Sequence, residues 1–311
     1  MFYAGLKPAL QRETARAEIE YSLPVALSSP GFGFGGAKVV DFEMLPNVSA
    51  PGDMVFYGVN RELNRQFGCR NAGAAEFVRK KTACMMPWTQ ACHPACHDIG
   101  IVTAEDVDVA VRDVCAIGRH LTIHGWRPAL IGCDHTASLI GLMGAVQGSR
   151  IPPVYLYFDA HYDLGRHAPD TGTHNGNFVD VLLNSDKVAR VINVGGRSWS
   201  TFAPVYNEIP KFVSIPGGVP RLSAAEVIEK LYWLQGRPIY VSIDADVLDP
   251  ACAPNVACPE PFGMSLEDLH TICAWLGSSC PVIGADLCEI VPSSRNLCSE
   301  LALMRCLHAL F

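Results

Sequence analysis

The feature that most constrains this 311-residue chain is an alternation of short apolar runs with longer amphipathic ones. From residue 54 onward, runs rich in β-branched and aromatic residues recur at MVFYG (54–58), PALIG (128–132), PVYLYFDA (153–160), RVINVG (190–195), PIYVSIDA (238–245) and PVIGADLCEI (281–290). Between them, segments near 72–81, 104–124, 136–147, 177–184, 223–235, 265–277 and 297–310 carry helical periodicity. Thr103 with Asp106 resembles a capping box, and Ser265 with Glu267 offers a second polar start. Short apolar strands separated by single helices predict βαβ crossovers, because a parallel sheet covered on both faces buries such runs completely. The expected fold class is α/β, a three-layer αβα sandwich with a mostly parallel sheet. Residues 22–52 are rich in Gly, Pro and Ser and predict an irregular segment. No repeat or linker divides the rest, so the expectation is a single domain over 1–311.

A formal charge of -7 repels phosphate and predicts no nucleic-acid partner and no docking to anionic membranes. Lys7, Pro8, Arg12 and Glu13 interrupt the start of the chain, and no later apolar run reaches the length of a membrane span. The expected location is cytoplasmic. Thirteen cysteines, an odd number in a long chain, do not read as a secreted disulfide framework. Most are expected to be reduced, buried and small.

Three polar clusters directly follow strand candidates: Gly132-Cys133-Asp134-His135, Asp159-Ala160-His161-Tyr162-Asp163 and Asp244-Ala245-Asp246. In an open parallel sheet the carboxyl ends share one edge, so the clusters should converge on one site. The spacing of two in Asp159-x-His161-x-Asp163 and Asp244-x-Asp246 points each set to one side if the backbone stays extended. Five such ligands on two strand ends exceed the need of one cation. Carboxylates with imidazoles favour a hard-to-borderline divalent pair, and we expect Mn²⁺ rather than thiolate-rich zinc. A cap or solvated turn would explain any one cluster alone. Together they would repel and resist desolvation without cations.

These motifs resemble those of the ureohydrolase superfamily, which contains arginase, agmatinase and formimidoylglutamase. The resemblance covers most of the chain and rests on Gly132-Cys133-Asp134-His135-Thr136, on 159–163, and on Ser242 through Pro250. Further echoes are Gly68-Cys69-Arg70 through Arg79, and Asp286-Leu287-Cys288-Glu289 followed by Pro292. The resemblance implies one Mn²⁺ held by His135, Asp159, Asp163 and Asp244, and a second held by Asp159, His161, Asp244 and Asp246. Asp159 and Asp244 would bridge, and a hydroxide between the two ions would be the nucleophile. It further implies that Glu289 receives a planar amidinium or guanidinium and that His174 protonates the leaving amine. A small-molecule substrate and a homotrimer or homohexamer follow from the same likeness.

The expected activity is hydrolysis of the C–N bond of a linear guanidine or amidine, of the agmatinase or guanidino-acid type, releasing urea and an amine. The alternatives are a formimidoylglutamase releasing formamide and glutamate, and a catalytically silent metal-bearing binding module. The loop Leu164-Gly165-Arg166-His167-Ala168-Pro169-Asp170 lacks the arginase pattern for an α-amino acid, and His174-Asn175-Gly176 resembles the spacing of some formimidoylglutamases. Arg166 could pair a substrate carboxylate and Asp170 an amine, although both also read as solvated loop charges. Cys133 replaces a family Gly, and Cys258 stands where a pocket Thr is common; Cys258 could line the pocket, and nothing beside it signals an activated nucleophile. Gly31-Phe32-Gly33-Phe34-Gly35-Gly36 fits a dinucleotide pattern but lacks the preceding strand and following helix. Cys92-His93-Pro94-Ala95-Cys96-His97 is read as a turn rather than a metal or haem site, with Asp98 anchoring a following strand.

Overall fold

The computed structural model describes residues 33–64, 71–85, 95–165, 172–198, 209–293 and 298–311. Nine strands form one sheet: β1 (Lys38–Val39), β2 (Met54–Val59), β3 (Cys96–Val102), β4 (Arg127–Ile131), β5 (Val154–Phe158), β6 (Arg190–Val194), β7 (Phe212–Ile215), β8 (Ile239–Asp244) and β9 (Val282–Cys288). Their order is β1-β3-β2-β4-β9-β8-β5-β6-β7, and every pairing is parallel. The principal helices are α1 (Ala74–Thr82), α2 (Val107–Ile123), α3 (Thr136–Ala145), α4 (Val179–Leu183), α5 (Ala224–Leu231), α6 (Leu266–Ser279) and α7 (Cys298–Ala309).

Side chains alternate along each central strand and feed two cores. On one face Met54, Phe56, Leu156, Phe158, Val241 and Ile243 pack with Val78 of α1, Val227 of α5, Leu269 of α6 and Leu303 of α7. On the other face Val55, Tyr57, Tyr155, Tyr157 and Tyr240 pack with Val114 and Ile117 of α2, Leu139 of α3 and Val179 of α4. With both faces covered the architecture is the three-layer αβα sandwich expected from the strand pattern. Helices α2 and α3 approach closely because glycines line their contact. A Cβ on Gly144 would lie 2.5 Å from the carbonyl oxygen of Cys115.

The six expected strands and seven expected helices all form, mostly with shorter bounds. Three strands went unread. Residues 96–97 belong to β3 rather than to a turn, and Asp98 lies within that strand; Cys92, His93 and Pro94 fall outside the described residues. β1 arises inside the segment expected to be irregular, and β7 is a four-residue edge strand. The α2 cap is Asp106, which accepts from Val109 N at 3.0 Å, so Thr103 plays no part in it. Ser265 does cap α6, but it pairs with Asp268 rather than Glu267.

The register aligns the central strand ends. Ile131 of β4 and Ile243 of β8 both pair Leu287 of β9, and Phe158 of β5 pairs Ile243. Residues 132–135, 159–163, 244–246 and 289 therefore leave neighbouring strands at one edge, where an open parallel sheet presents its ligand site.

Candidate metal centre

His135 precedes α3, in a turn braced by Asp134, whose Oδ1 accepts from Thr136 N at 2.9 Å and whose Oδ2 accepts from Leu63 N. The other ligand candidates converge by bends, not by the extended geometry expected from their spacing. β5 ends at Phe158, and Asp163 has a left-handed φ of 49°. Asp244 closes β8, and Ala245–Val247 turns as a 3₁₀ helix, with Asp244 Oδ1 accepting from Asp246 N at 2.9 Å.

The resulting cluster is buried and dense. His135 Nδ1 lies 3.1 Å from Asp159 Oδ2, 2.9 Å from Asp163 Oδ2 and 3.3 Å from Asp244 Oδ2. His161 Nδ1 lies 2.9 Å from Asp246 Oδ2 and 3.4 Å from Asp159 Oδ1. Two ligand sets thus share Asp159, one with His135 and Asp163, the other with His161 and Asp246. A third set joins His135, Asp244 and Cys288, though the Cys288 thiol faces the carbonyl of Ile243 and burial pushes its pKa up.

The electrostatics are those of a site built around positive charge. Burial, then the Asp159 charge, pushes Asp163 up to about 7. Burial with the neighbouring carboxylates also raises Asp244 and Asp246. Burial opposes ionisation of Asp159 too, but the His135 and His161 rings beside it hold it below the usual carboxylate range. His161 is pulled up against its own burial by Asp246 and Asp159. His135 Nδ1 and Asp159 Oδ2 are buried without a well-formed hydrogen bond. Oxygen and imidazole donors at these separations fit hard-to-borderline divalent cations.

Outer contacts orient these donors. His135 Nε2 lies 3.0 Å from Ser242 Oγ, which donates to Asp286 Oδ1 at 2.7 Å; Ser138 Oγ donates to Asp286 Oδ2 at 2.6 Å. With its hydroxyl given to Asp286, Ser242 accepts from Nε2–H and leaves Nδ1 to face the carboxylates. On the His161 side, Nε2 lies 3.8 Å from Glu260 Oε1, which accepts from Ser198 Oγ at 2.9 Å. Arg197 donates to the carbonyls of Asp246 and Glu260 at 2.9 and 2.8 Å, tying the two loops together.

Glu289 sits beside this cluster, 4% exposed, at a left-handed φ of 61°. Its Oε1 accepts from His135 N at 2.9 Å and Asn175 Nδ2 at 3.4 Å, and its Oε2 accepts from Asn71 Nδ2 at 2.8 Å. His174 is 3% exposed; Nδ1 accepts from Gly176 N at 3.1 Å and burial lowers the ring's pKa, both favouring the neutral ring.

A family model described as the arginase family matches residues 53–308. The chain belongs to the arginase family. A formimidoylglutamase from Geobacillus sp. (strain WCH70) is 23% identical over 265 residues, covering 81% of this chain and 79% of the relative. A guanidinobutyrase from Pseudomonas aeruginosa is 25% identical over 287 residues, covering 83% and 86%. Proclavaminate amidino hydrolase from Streptomyces clavuligerus superimposes with a TM-score of 0.76 at 18% identity, covering 90% of this chain and 95% of that one. That likeness shows the shared fold.

Of the residues singled out in this arginase-family sequence, His135, Asp159, His161, Asp163, Asp244, Asp246 and Glu289 are buried or nearly so at the one sheet edge, and His174 is buried in the loop whose next residue, Asn175, donates to Glu289. Cys258 is half-buried on the segment that pairs with the residues around Glu289, since Val256 bridges Ile290 and Ala257 N donates to Glu289 O at 3.2 Å. Cys133 is buried, its thiol donating to Val59 O at 3.4 Å with its pKa pushed up to about 12 by burial. Arg166 and Asp170 fall outside the described residues, as does Gly68-Cys69-Arg70. Asn71, Glu260 and Ser198 were missed. Only the closeness of Asn71 to the Arg70 echo, and of Glu260 to Cys258, pointed toward them.

Proposed function

We propose that this arginase-family chain hydrolyses the C–N bond of a linear guanidine or amidine with a pair of Mn²⁺ ions. His135, Asp159, Asp163 and Asp244 would hold one ion, and Asp159, His161, Asp244 and Asp246 the other. Bound there, the ions supply an acidified water as nucleophile. The observation that carries this reading is the sharing of Asp159 between two separate ligand sets, which one cation would not require.

Glu289 receives the cationic head group. Its carboxylate is buried, is oriented by hydrogen bonds to both oxygens and stands next to the ligand cluster, so it would hold a planar amidinium beside the ions. His174 would carry the proton to the departing amine; resting neutral, it would take up the proton that the attacking water gives off and pass it to the amine nitrogen as the C–N bond breaks.

For the substrate, a guanidino compound such as agmatine or a guanidino acid is the first choice, giving urea and an amine. The likeness to a guanidinobutyrase over most of both chains supports it. N-formimidoyl-L-glutamate, giving formamide and glutamate, is the second reading, favoured by Asn175 standing between His174 and Gly176 and by the formimidoylglutamase relative. We further propose one ureohydrolase-like domain over residues 1–311, a cytoplasmic location and a homotrimer or homohexamer. The test is a panel of guanidines and amidines with Mn²⁺-loaded protein, urea and formamide being measured separately. Urea from a guanidino compound is expected. Turnover that survives rigorous chelation would overturn the metal reading, and metal-bound protein inert on a broad panel would favour a silent binding module.

A further inference from the structure

Glu289 is held in a backbone conformation that non-glycine residues rarely adopt, with φ of 61°. Such strain persists only where the surroundings over-determine it, and it concentrates where geometry serves function. A side chain outside the ligand set ties its carboxylate to its own backbone. Asn71, fully buried ahead of α1, donates through Nδ2 to Glu289 Oε2 at 2.8 Å and to the carbonyl of Cys133 at 2.7 Å. The same Cys133 carbonyl accepts from Glu289 N at 2.8 Å. Asn71 therefore clamps the backbone and the carboxylate of Glu289 to a single acceptor, and the two hydrogens of its amide fix which way the amide faces.

The chemistry of the clamp matters as much as its geometry. An Arg or Lys at this place would pair with Glu289 and cancel the charge that a cationic head group needs. An amide orients the carboxylate and leaves its charge in place. We infer that Asn71 is the positioning residue that sets the affinity of the site for a planar amidinium or guanidinium group, acting through Glu289. This rests on the proposed role of Glu289 as the head-group acceptor.

The experiment uses the Mn²⁺-loaded full chain and two probes: guanidinium chloride, which tests the Glu289 pocket, and fluoride, which tests the ions. The variants are Asn71→Leu, close in volume but without a donor, and Asn71→Ser, which retains one. Losing a hydrogen bond to a charged group should raise KM and the guanidinium Ki by roughly ten- to a hundredfold in Asn71→Leu. The fluoride Ki and the metal content should stay near wild type even though the lost hydrogen bond to the Cys133 carbonyl lowers the melting temperature, and Asn71→Ser should recover part of the guanidinium affinity. An unchanged guanidinium Ki in Asn71→Leu overturns the inference. So does a parallel loss of fluoride and guanidinium binding or of metal in both variants, which would make Asn71 a purely structural residue. If wild type binds metal and fluoride but no guanidinium, the reading of Glu289 itself fails, separately from that of Asn71.

Discussion

Replacing Ser242 with alanine tests how the centre is aimed. Ser242 Oγ takes the hydrogen of His135 Nε2 at 3.0 Å and passes its own to Asp286 Oδ1 at 2.7 Å. In Ser242→Ala the imidazole loses the acceptor that keeps Nδ1 turned to Asp159, Asp163 and Asp244, while all six proposed ligands remain. Removing an outer partner of this kind costs roughly 10- to 100-fold in metal affinity, or about 1.4–2.7 kcal/mol. The metal-free protein should also lose about 1–3 kcal/mol, because Asp286 Oδ1 is buried and loses its donor. The loss should fall toward the lower end, since Ser138 still serves Oδ2. Competition with a graded chelator, followed by elemental analysis of the desalted protein, reads the metal term, and urea denaturation reads the other. A chelator midpoint within twofold of wild type would refute the idea that Ser242 orients His135.

Arg79→Leu leaves Asp98 buried without its guanidinium partner at 2.6 Å, and loss of about 3 kcal/mol in denaturant unfolding is expected. The cost stays near that lower bound because Phe34 N and Gly100 N still donate to Asp98. Gly144→Val should cost about 1–3 kcal/mol, measured the same way, because its Cβ would meet Cys115 O of the facing helix at 2.5 Å. In the metal-free protein Asp163 is raised to about 7, and Asp244 and Asp246 are raised as well. The folded chain then binds more protons than the unfolded one between the ordinary carboxylate range and neutrality, so the stability from these groups is full at low pH and is lost as pH rises through 7. The melting temperature of chelated protein should fall from pH 6 to pH 8 and should stay nearly level with Mn²⁺ bound; a chelated protein that gains stability over that interval would contradict the assignment.

Much of this structure was legible because parallel strands buried on both faces leave an uninterrupted apolar signature. β2, β4, β5, β6, β8 and β9 all carry it. β3 hid because His97 and Asp98 interrupt its apolar run. They are buried only because distant residues satisfy them: Asp53 lies 3.1 Å from His97, and Arg79 pairs with Asp98. β7 was too short for periodicity to register, and its two central residues are only partly buried. The ligands were readable as clusters placed after strands, and the shared sheet edge does bring them together, but the extended geometry expected from the spacing of two was wrong, since Asp163 reaches the site through a left-handed bend. Asn71 and Glu260 stayed hidden for another reason. Each acts on a residue far along the chain, Glu289 and His161, and nothing local marks an amide or a carboxylate as the partner of a distant side chain.

The central claim is that two cations share Asp159. Metal content measured against turnover, in wild type and in Asp246→Ala, tests it most directly. Two divalent ions per chain are expected in active wild type, and Asp246→Ala should keep the His135 ion, lose the other and lose most of its turnover. Full turnover in protein that carries a single ion, or none, would contradict the account.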